Sequence, residues 1–250
     1  MGDDGIDGRE PFSAAGGPYG ALVLHGLSGT PGSVRGLGMA LAGAGLAVEG
    51  PLLPGHGTSV EDLAAVGWPE WTAAAEAAYA DLAARCARVV VAGLSMGGTL
   101  ACWLASRHPV AGLVCVNPIV EPPAPSFLEI LRDLLAGGNT MLPSIGGDVA
   151  KGDEREPAYD RLPVATLLSL MEALGGLEGD LGRITAPLLL FTSRRDHVVP
   201  PSSSDHLAER VAGPVERITL EDSYHVATLD HDGPMIERRA AEFAGAVALG

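Results

Sequence analysis

Three residues with the side chains of a nucleophile, an acid and a base occur in that order along this 250-residue chain. Ser95 lies in residues 93–97 (Gly-Leu-Ser-Met-Gly), a G-x-S-x-G pattern between an apolar run and a helical pattern. In that context the pattern predicts a sharp strand-to-helix turn that exposes the serine hydroxyl. Asp196 and His225 each follow a later predicted strand, and an imidazole held by a carboxylate is the base that activates such a serine. The order therefore predicts a catalytic triad of Ser95, Asp196 and His225.

The turn around the serine requires neighbours without side chains, and Gly93 and Gly97 meet that requirement. Attack on a carbonyl also requires two backbone N–H groups that stabilise the oxyanion. Met96 supplies one candidate, because it follows the nucleophile at the start of the next helix. Leu27 supplies the other, because it follows the first predicted strand within residues 25–27 (His-Gly-Leu). We expect His25 to brace this loop rather than to act as a second base.

The elements that must position these residues alternate along the chain. Apolar runs predict strands at residues 21–25, 46–48, 88–93, 113–117 and 188–191, and residues 216–220 are predicted to form a further strand. Helical periodicity predicts helices at residues 33–44, capped by Ser33, and at 68–85, 96–107, 204–211 and 234–247. Strands that alternate with helices predict an α/β fold with a mostly parallel, doubly wound sheet covered on both faces.

The alternation stops between residues 119 and 182, which we predict to be a small helical cap inserted into a core formed by residues 1–118 and 183–250. Two amphipathic helical patterns lie there, one introduced by a capping box of Ser126 and Glu129, and no strand is predicted. The cap is expected over the carboxyl ends of the strands, where open α/β sheets place their ligands.

The charge and the cysteine and histidine content exclude several classes of binding partner and cofactor. The chain has 16 Lys+Arg against 31 Asp+Glu, a formal net charge of −15, which argues against nucleic acid and anionic membrane surfaces. The three cysteines form no zinc or redox pair and are expected to be core side chains, and the dispersed histidines predict no metal. No organic cofactor is expected. The acidic start Met1-Gly2-Asp3-Asp4 shows no signal peptide, so we expect a cytoplasmic protein without stable membrane insertion.

Several long runs resemble the bacterial monoacylglycerol lipases and, slightly less closely, the small thermostable carboxylesterases: residues 24–31, 54–58, 93–100, 196–201 and 223–230. The resemblance implies an α/β-hydrolase fold with a small cap, the triad and oxyanion donors given above, and no cofactor. It also implies that Glu156 contacts a glycerol head group and that Ile145 shapes the entrance. One departure is Leu27, where the family usually has Phe, which changes the wall of the acyl pocket but keeps the N–H donor.

These observations predict a serine hydrolase that cleaves monoacylglycerols, small lipid esters, through an acyl-enzyme intermediate. The apolar faces of the cap helices suit an acyl chain as well as ordinary core packing, and the negative charge favours a neutral substrate over a fatty anion. Two alternatives remain open: a general carboxylesterase for short- to medium-chain esters, and a non-catalytic ligand-binding protein with the same fold.

Overall fold

The computed structural model describes residues 8–249, so the expectation drawn from the first four residues lies outside the described part of the chain. The strands are β1 (Phe12–Ala14), β2 (Tyr19–Leu24), β3 (Ala47–Gly50), β4 (Arg88–Leu94), β5 (Gly112–Val116), β6 (Met141–Pro143), β7 (Arg161–Pro163), β8 (Leu188–Ser193) and β9 (Val215–Leu220). The α-helices are α1 (Arg35–Gly43), α2 (Val60–Ala64), α3 (Trp68–Ala83), α4 (Met96–Ala105), α5 (Pro125–Ala136), α6 (Val164–Asp180), α7 (Ser202–Arg210) and α8 (Gly233–Leu249).

Seven strands form one sheet in the order β1-β3-β2-β4-β5-β8-β9. Only the short edge strand β1 runs antiparallel to its neighbour, and the other strand pairs of this sheet are parallel. The carboxyl ends of β2, β4, β8 and β9 therefore lie at the same edge of the sheet. The predicted fold class, a mostly parallel sheet within an α/β fold, is confirmed.

Helices cover both faces of the sheet because the central strands are apolar on both sides. In β4, Val89 and Val91 pack into one core with Trp71 and Leu100. Residues 90, 92 and 94 of the same strand point to the other face and pack into a second core. The first core lies beneath α3, α4 and α6, and the second beneath α1 and α8. All three cysteines are buried and free, as expected of core side chains.

Three local predictions were wrong. Ser33 does not cap α1, because it lies inside a 3-10 turn (Pro31–Val34) and its hydroxyl donates to the Glu156 carboxylate instead. Ser126 and Glu129 form no capping box, because α5 already begins at Pro125. The region predicted to lack strands contains β6 and β7, which pair antiparallel as a separate two-stranded sheet.

No helix among residues 8–249 is both long and apolar enough to span a bilayer.

Candidate active site

The serine predicted as nucleophile lies in a strained turn between a strand and a helix. Ser95 directly follows β4 and precedes α4, and its backbone has φ 54° and ψ −120°, in a region that side chains disfavour. A Cβ on Gly93 would collide with the backbone of Gly97, and a Cβ on Gly97 would collide with the carbonyl of Leu24. The two glycines are therefore required by close backbone approach, as the pattern predicted.

Gly97→Ala is expected to destabilise the fold by about 1–3 kcal/mol, because the new methyl group meets backbone that cannot move aside. The matched control is Gly176→Ala in α6, where a Cβ would meet nothing within 4 Å and where alanine favours the helix by about 0.5–1 kcal/mol. Thermal unfolding should show a lower Tm for the first variant and an equal or higher Tm for the second. Equal Tm values for Gly97→Ala and the unaltered protein would refute the steric requirement.

The predicted acid and base are joined by a direct hydrogen bond. The distance from His225 Nδ1 to Asp196 Oδ2 is 2.7 Å, and the two side chains are only 6% and 2% exposed. The other oxygen of Asp196 accepts hydrogen bonds of 2.8 Å from the N–H groups of Val198 and Val199. These two donors fix the carboxylate, so that its second oxygen orients the imidazole through Nδ1 and leaves Nε2 available to accept a proton.

Ser95 and His225 line the same narrow pocket, together with the loop after β2. Within residues 8–249 the Ser95 hydroxyl makes no hydrogen bond, so it is free to rotate towards the imidazole or a bound substrate. Catalytic hydrogen bonds of this kind often form only when the substrate is in place. The structure thus brings all three predicted residues to one cleft.

The loop that carries Leu27 is held by two buried histidines. The Nδ1 of His25 donates to the Gly26 carbonyl at 2.9 Å, and its Nε2 accepts the Leu53 N–H at 3.1 Å. These partners require a neutral imidazole, in line with burial and the adjacent His56, which together lower the pKa of His25 well below 6.5. The Nε2 of His56 contacts the Leu27 carbonyl at 2.5 Å. The prediction that His25 braces this loop is confirmed.

The two predicted oxyanion donors lie beside the serine. Met96 is the next residue, and Leu27 lines both cavities that contain Ser95. The Gly26 backbone is so close that a Cβ there would lie 3.6 Å from the Cβ of Ser95. Because His25 binds the carbonyl of the peptide group that bears the Leu27 N–H, it also fixes the direction of that N–H.

Two cavities of different character meet at Ser95. The larger has a volume of about 960 Å³ and runs beneath the predicted cap, with a mainly apolar lining that includes Ile119, Phe127, Leu167, Leu170, Met171 and Val199. The smaller, about 20 Å³, has space for roughly one water-sized group and is lined by Gly29, Glu156 and His225. Ile145, predicted to shape the entrance, is 38% exposed and contacts both cavities.

Glu156 reaches the small pocket from the predicted cap. Its carboxylate accepts hydrogen bonds of 2.9 Å from the Ser33 hydroxyl and from the Gly147 N–H. Burial of the carboxylate raises the pKa of Glu156 above 4.5, and these bonds together with the nearby His225 only partly offset that effect. The Glu156 carboxylate is therefore partly desolvated and can accept a hydrogen bond from a hydroxyl group in the pocket.

The raised pKa of Glu156 has a consequence for stability. A folded state that binds the proton more tightly than the unfolded chain is stabilised below pH 4.5, and it loses that stabilisation as the pH rises through the raised pKa. Glu156→Gln stays neutral, so the stability of the unaltered protein relative to this variant should fall with rising pH. Urea unfolding from about pH 4.5 to 8 measures this difference. A difference that does not change with pH would contradict the prediction.

Two further polar residues hold the site and were not predicted as site residues. Asn117, directly after β5, donates to the His225 carbonyl at 2.8 Å and accepts the Ser193 N–H at 2.7 Å. Asp148, in the predicted cap, accepts the His225 N–H at 3.0 Å. Asn117 could have been noticed as a polar residue that ends an apolar strand at the ligand edge, whereas a lone aspartate after glycines gave no signal.

Comparison with known proteins shows similarity along nearly the whole chain. The Hydrolase_4 family model (serine aminopeptidase, S33) matches residues 20–232. The thermostable monoacylglycerol lipase of Bacillus sp. (strain H-257) is 43% identical over 242 residues, 95% of each chain. A carboxylesterase of Bacillus subtilis (strain 168) is 26% identical over 94% of this chain and 95% of its own. A solved structure from LipS and LipT, two metagenome-derived lipolytic enzymes, has a TM-score of 0.91 and 36% identity, covering 96% of this chain and 99% of that one.

Proposed function

The chain belongs to the Hydrolase_4 family of α/β-hydrolases, and from that premise we propose that it cleaves monoacylglycerols to glycerol and free fatty acid. It is a carboxylic ester hydrolase, as are its two relatives from Bacillus. The relative that is 43% identical is a monoacylglycerol lipase, which supports this substrate over others.

The proposed reaction uses protein groups and water. The Ser95 hydroxyl attacks the ester carbonyl carbon while Nε2 of His225 takes its proton and Asp196 stabilises the imidazolium. The N–H groups of Leu27 and Met96 hold the oxyanion. The imidazolium then protonates the departing glycerol oxygen, which leaves an acyl group on Ser95. Water attacks this acyl-enzyme with His225 again as base, and the fatty acid is released.

The observation that carries the proposal is the pair of unequal cavities that meet at Ser95. The large, mainly apolar cavity has the size of a small-molecule ligand pocket, which typically ranges from about 300 to 1,000 Å³, and accepts the acyl chain. The small pocket beside Glu156 accepts a hydroxyl of the alcohol but has no room for a second acyl chain. An ester with one long chain and a small polar alcohol fits this arrangement.

Residues 119–182 act as the cap in this proposal. They supply α5 and α6, which line the acyl cavity, and also Ile145 and Glu156 at the alcohol side. The net charge of −15 favours entry of a neutral ester and departure of the anionic product. A cytoplasmic location stays a prediction.

A general carboxylesterase is the second candidate, favoured by the B. subtilis relative. The discriminating experiment compares kcat/KM for monoolein, triolein and p-nitrophenyl butyrate, with Ser95→Ala protein as the blank. We expect monoolein to be the best of the three and triolein to be the poorest, because of the small alcohol pocket. A clear preference for the butyrate ester would favour the carboxylesterase. Equal turnover of monoolein and triolein would contradict the role given to the small alcohol pocket.

A further inference from the structure

The base of the proposed triad lies on a stretch of chain that has no regular secondary structure. His225 comes five residues after the end of β9, and its buried peptide groups cannot be satisfied by a strand or helix ladder. Two side chains from distant parts of the chain take that role. Asn117 binds its carbonyl from the sheet, and Asp148 binds its N–H from the cap. The position of the imidazole depends on both.

Asp148 is bonded to the acid loop as well as to the base loop. The oxygen that accepts the His225 N–H also accepts the His197 N–H at 3.2 Å. Its other oxygen lies 2.8 Å from Nδ1 of His197, and its backbone carbonyl accepts the Val226 N–H at 3.0 Å. His197 directly follows Asp196, so one carboxylate spans the two loops that carry the acid and the base.

The base loop also binds the cap segment through a carboxylate of its own. Asp230, which follows the base in the chain, accepts the N–H groups of Ala150 and Lys151 at 2.7 and 3.0 Å. It also accepts the Tyr224 N–H at 2.9 Å. Although burial opposes it, these backbone donors lower the pKa of Asp230, which keeps it charged. The cap segment after Asp148 is therefore fastened to the base loop by a second carboxylate.

We propose that Asp148 is a positioning residue for the base: it fixes the His225 backbone relative to Asp196 and couples both to the cap. The proposal rests on the proposed function, because it assigns Asp148 a part in the same reaction. Asp148 lines the large cavity, but its carboxylate is only 16% exposed and accepts the N–H groups of His197 and His225, so we expect it to act through the two loops that carry the acid and the base. A misplacement of the imidazole by about 1 Å would cost on the order of 10²-fold in rate.

The test compares Asp148→Ala with Asp153→Ala, the same change at an exposed position of the same segment. The test substrate is p-nitrophenyl butyrate, whose acyl chain is too short to fill the large cavity. We expect Asp148→Ala to lower kcat about 10²-fold and to change KM less than about threefold. Asp153→Ala should match the unaltered enzyme. Asp148→Asn keeps one acceptor oxygen, so it should recover part of the lost rate. If the alanine variant does not fold, the kcat of Asp148→Asn relative to the unaltered enzyme tests the proposal.

A readout independent of turnover separates positioning from general stability. The short contact of 2.7 Å between His225 Nδ1 and Asp196 Oδ2 is expected to give its shared proton a low-field NMR resonance, which reports on that contact. We expect Asp148→Ala to shift or broaden this resonance while Asp153→Ala leaves it unchanged. A folded Asp148→Ala protein with unaltered kcat and resonance would overturn the proposal, as would a loss confined to KM. If the unaltered protein hydrolyses no ester, the proposed function fails, and the resonance alone still tests Asp148.

Discussion

Ser95→Ala is expected to remove ester hydrolysis, lowering kcat by about 10⁶-fold, the loss found when a triad nucleophile is deleted. The physical reason is that no other hydroxyl takes the place of Ser95 on the turn between β4 and α4. The turn with a φ of 54° places this side chain in both cavities, and Gly93 and Gly97, two positions away on either side, allow the close backbone approach that the turn requires. The measurement is steady-state turnover of monoolein and of p-nitrophenyl butyrate.

The control for this variant is Ser126→Ala, the same change at an exposed residue of α5. It should keep the activity of the unaltered enzyme. Both variants should remain folded, because alanine at position 95 adds no atoms and removes a hydroxyl that makes no hydrogen bond within residues 8–249. Turnover by Ser95→Ala protein within tenfold of normal would show that another residue attacks the ester.

Asp196→Asn is expected to lower kcat by about 10⁴-fold while the fold is retained. The two N–H donors of Val198 and Val199 hold one oxygen of the side chain in place. In the asparagine variant the amide oxygen must stay with these donors, so the NH₂ group faces His225. It then donates to Nδ1, which forces the imidazole proton onto Nε2, and the base can no longer accept the serine proton.

Asp160→Asn is the matched control, because the Asp160 side chain is 93% exposed. It should leave kcat unchanged for each ester. The substitution at Asp196 should affect kcat far more than KM, because the carboxylate orients the base and lies outside the acyl cavity. A loss below about tenfold for Asp196→Asn would mean that tautomer control by this residue is not needed.

The sequence was most informative where the structure depends on neighbouring residues. The turn at Ser95 could be predicted because its steric demand is met by glycines two positions away on either side. The acid and the base could be located because each follows the end of a predicted strand, and parallel strands bring those ends to one edge. Chain order then distinguished them from other loop residues.

The rest could not be predicted because it depends on contacts between residues far apart in the chain. Ser33 suits a helix cap, but its hydroxyl binds Glu156, which lies 123 positions later. Asp148 is bonded to a backbone group 77 positions away, and nothing in its local sequence indicates that partner. The strands β6 and β7 have three residues each, too few to show a periodic pattern. Such features become visible only when the cap is folded onto the sheet.

The most direct test of the central claim is to find which residue forms the covalent bond. The unaltered enzyme is treated with a fluorophosphonate, which bonds to an activated serine, and the labelled peptide is identified by mass spectrometry. We expect one adduct per chain, on Ser95, formed in step with the loss of monoolein hydrolysis. An adduct on a different residue, or full loss of activity with Ser95 unmodified, would contradict the claim that Ser95 is the nucleophile.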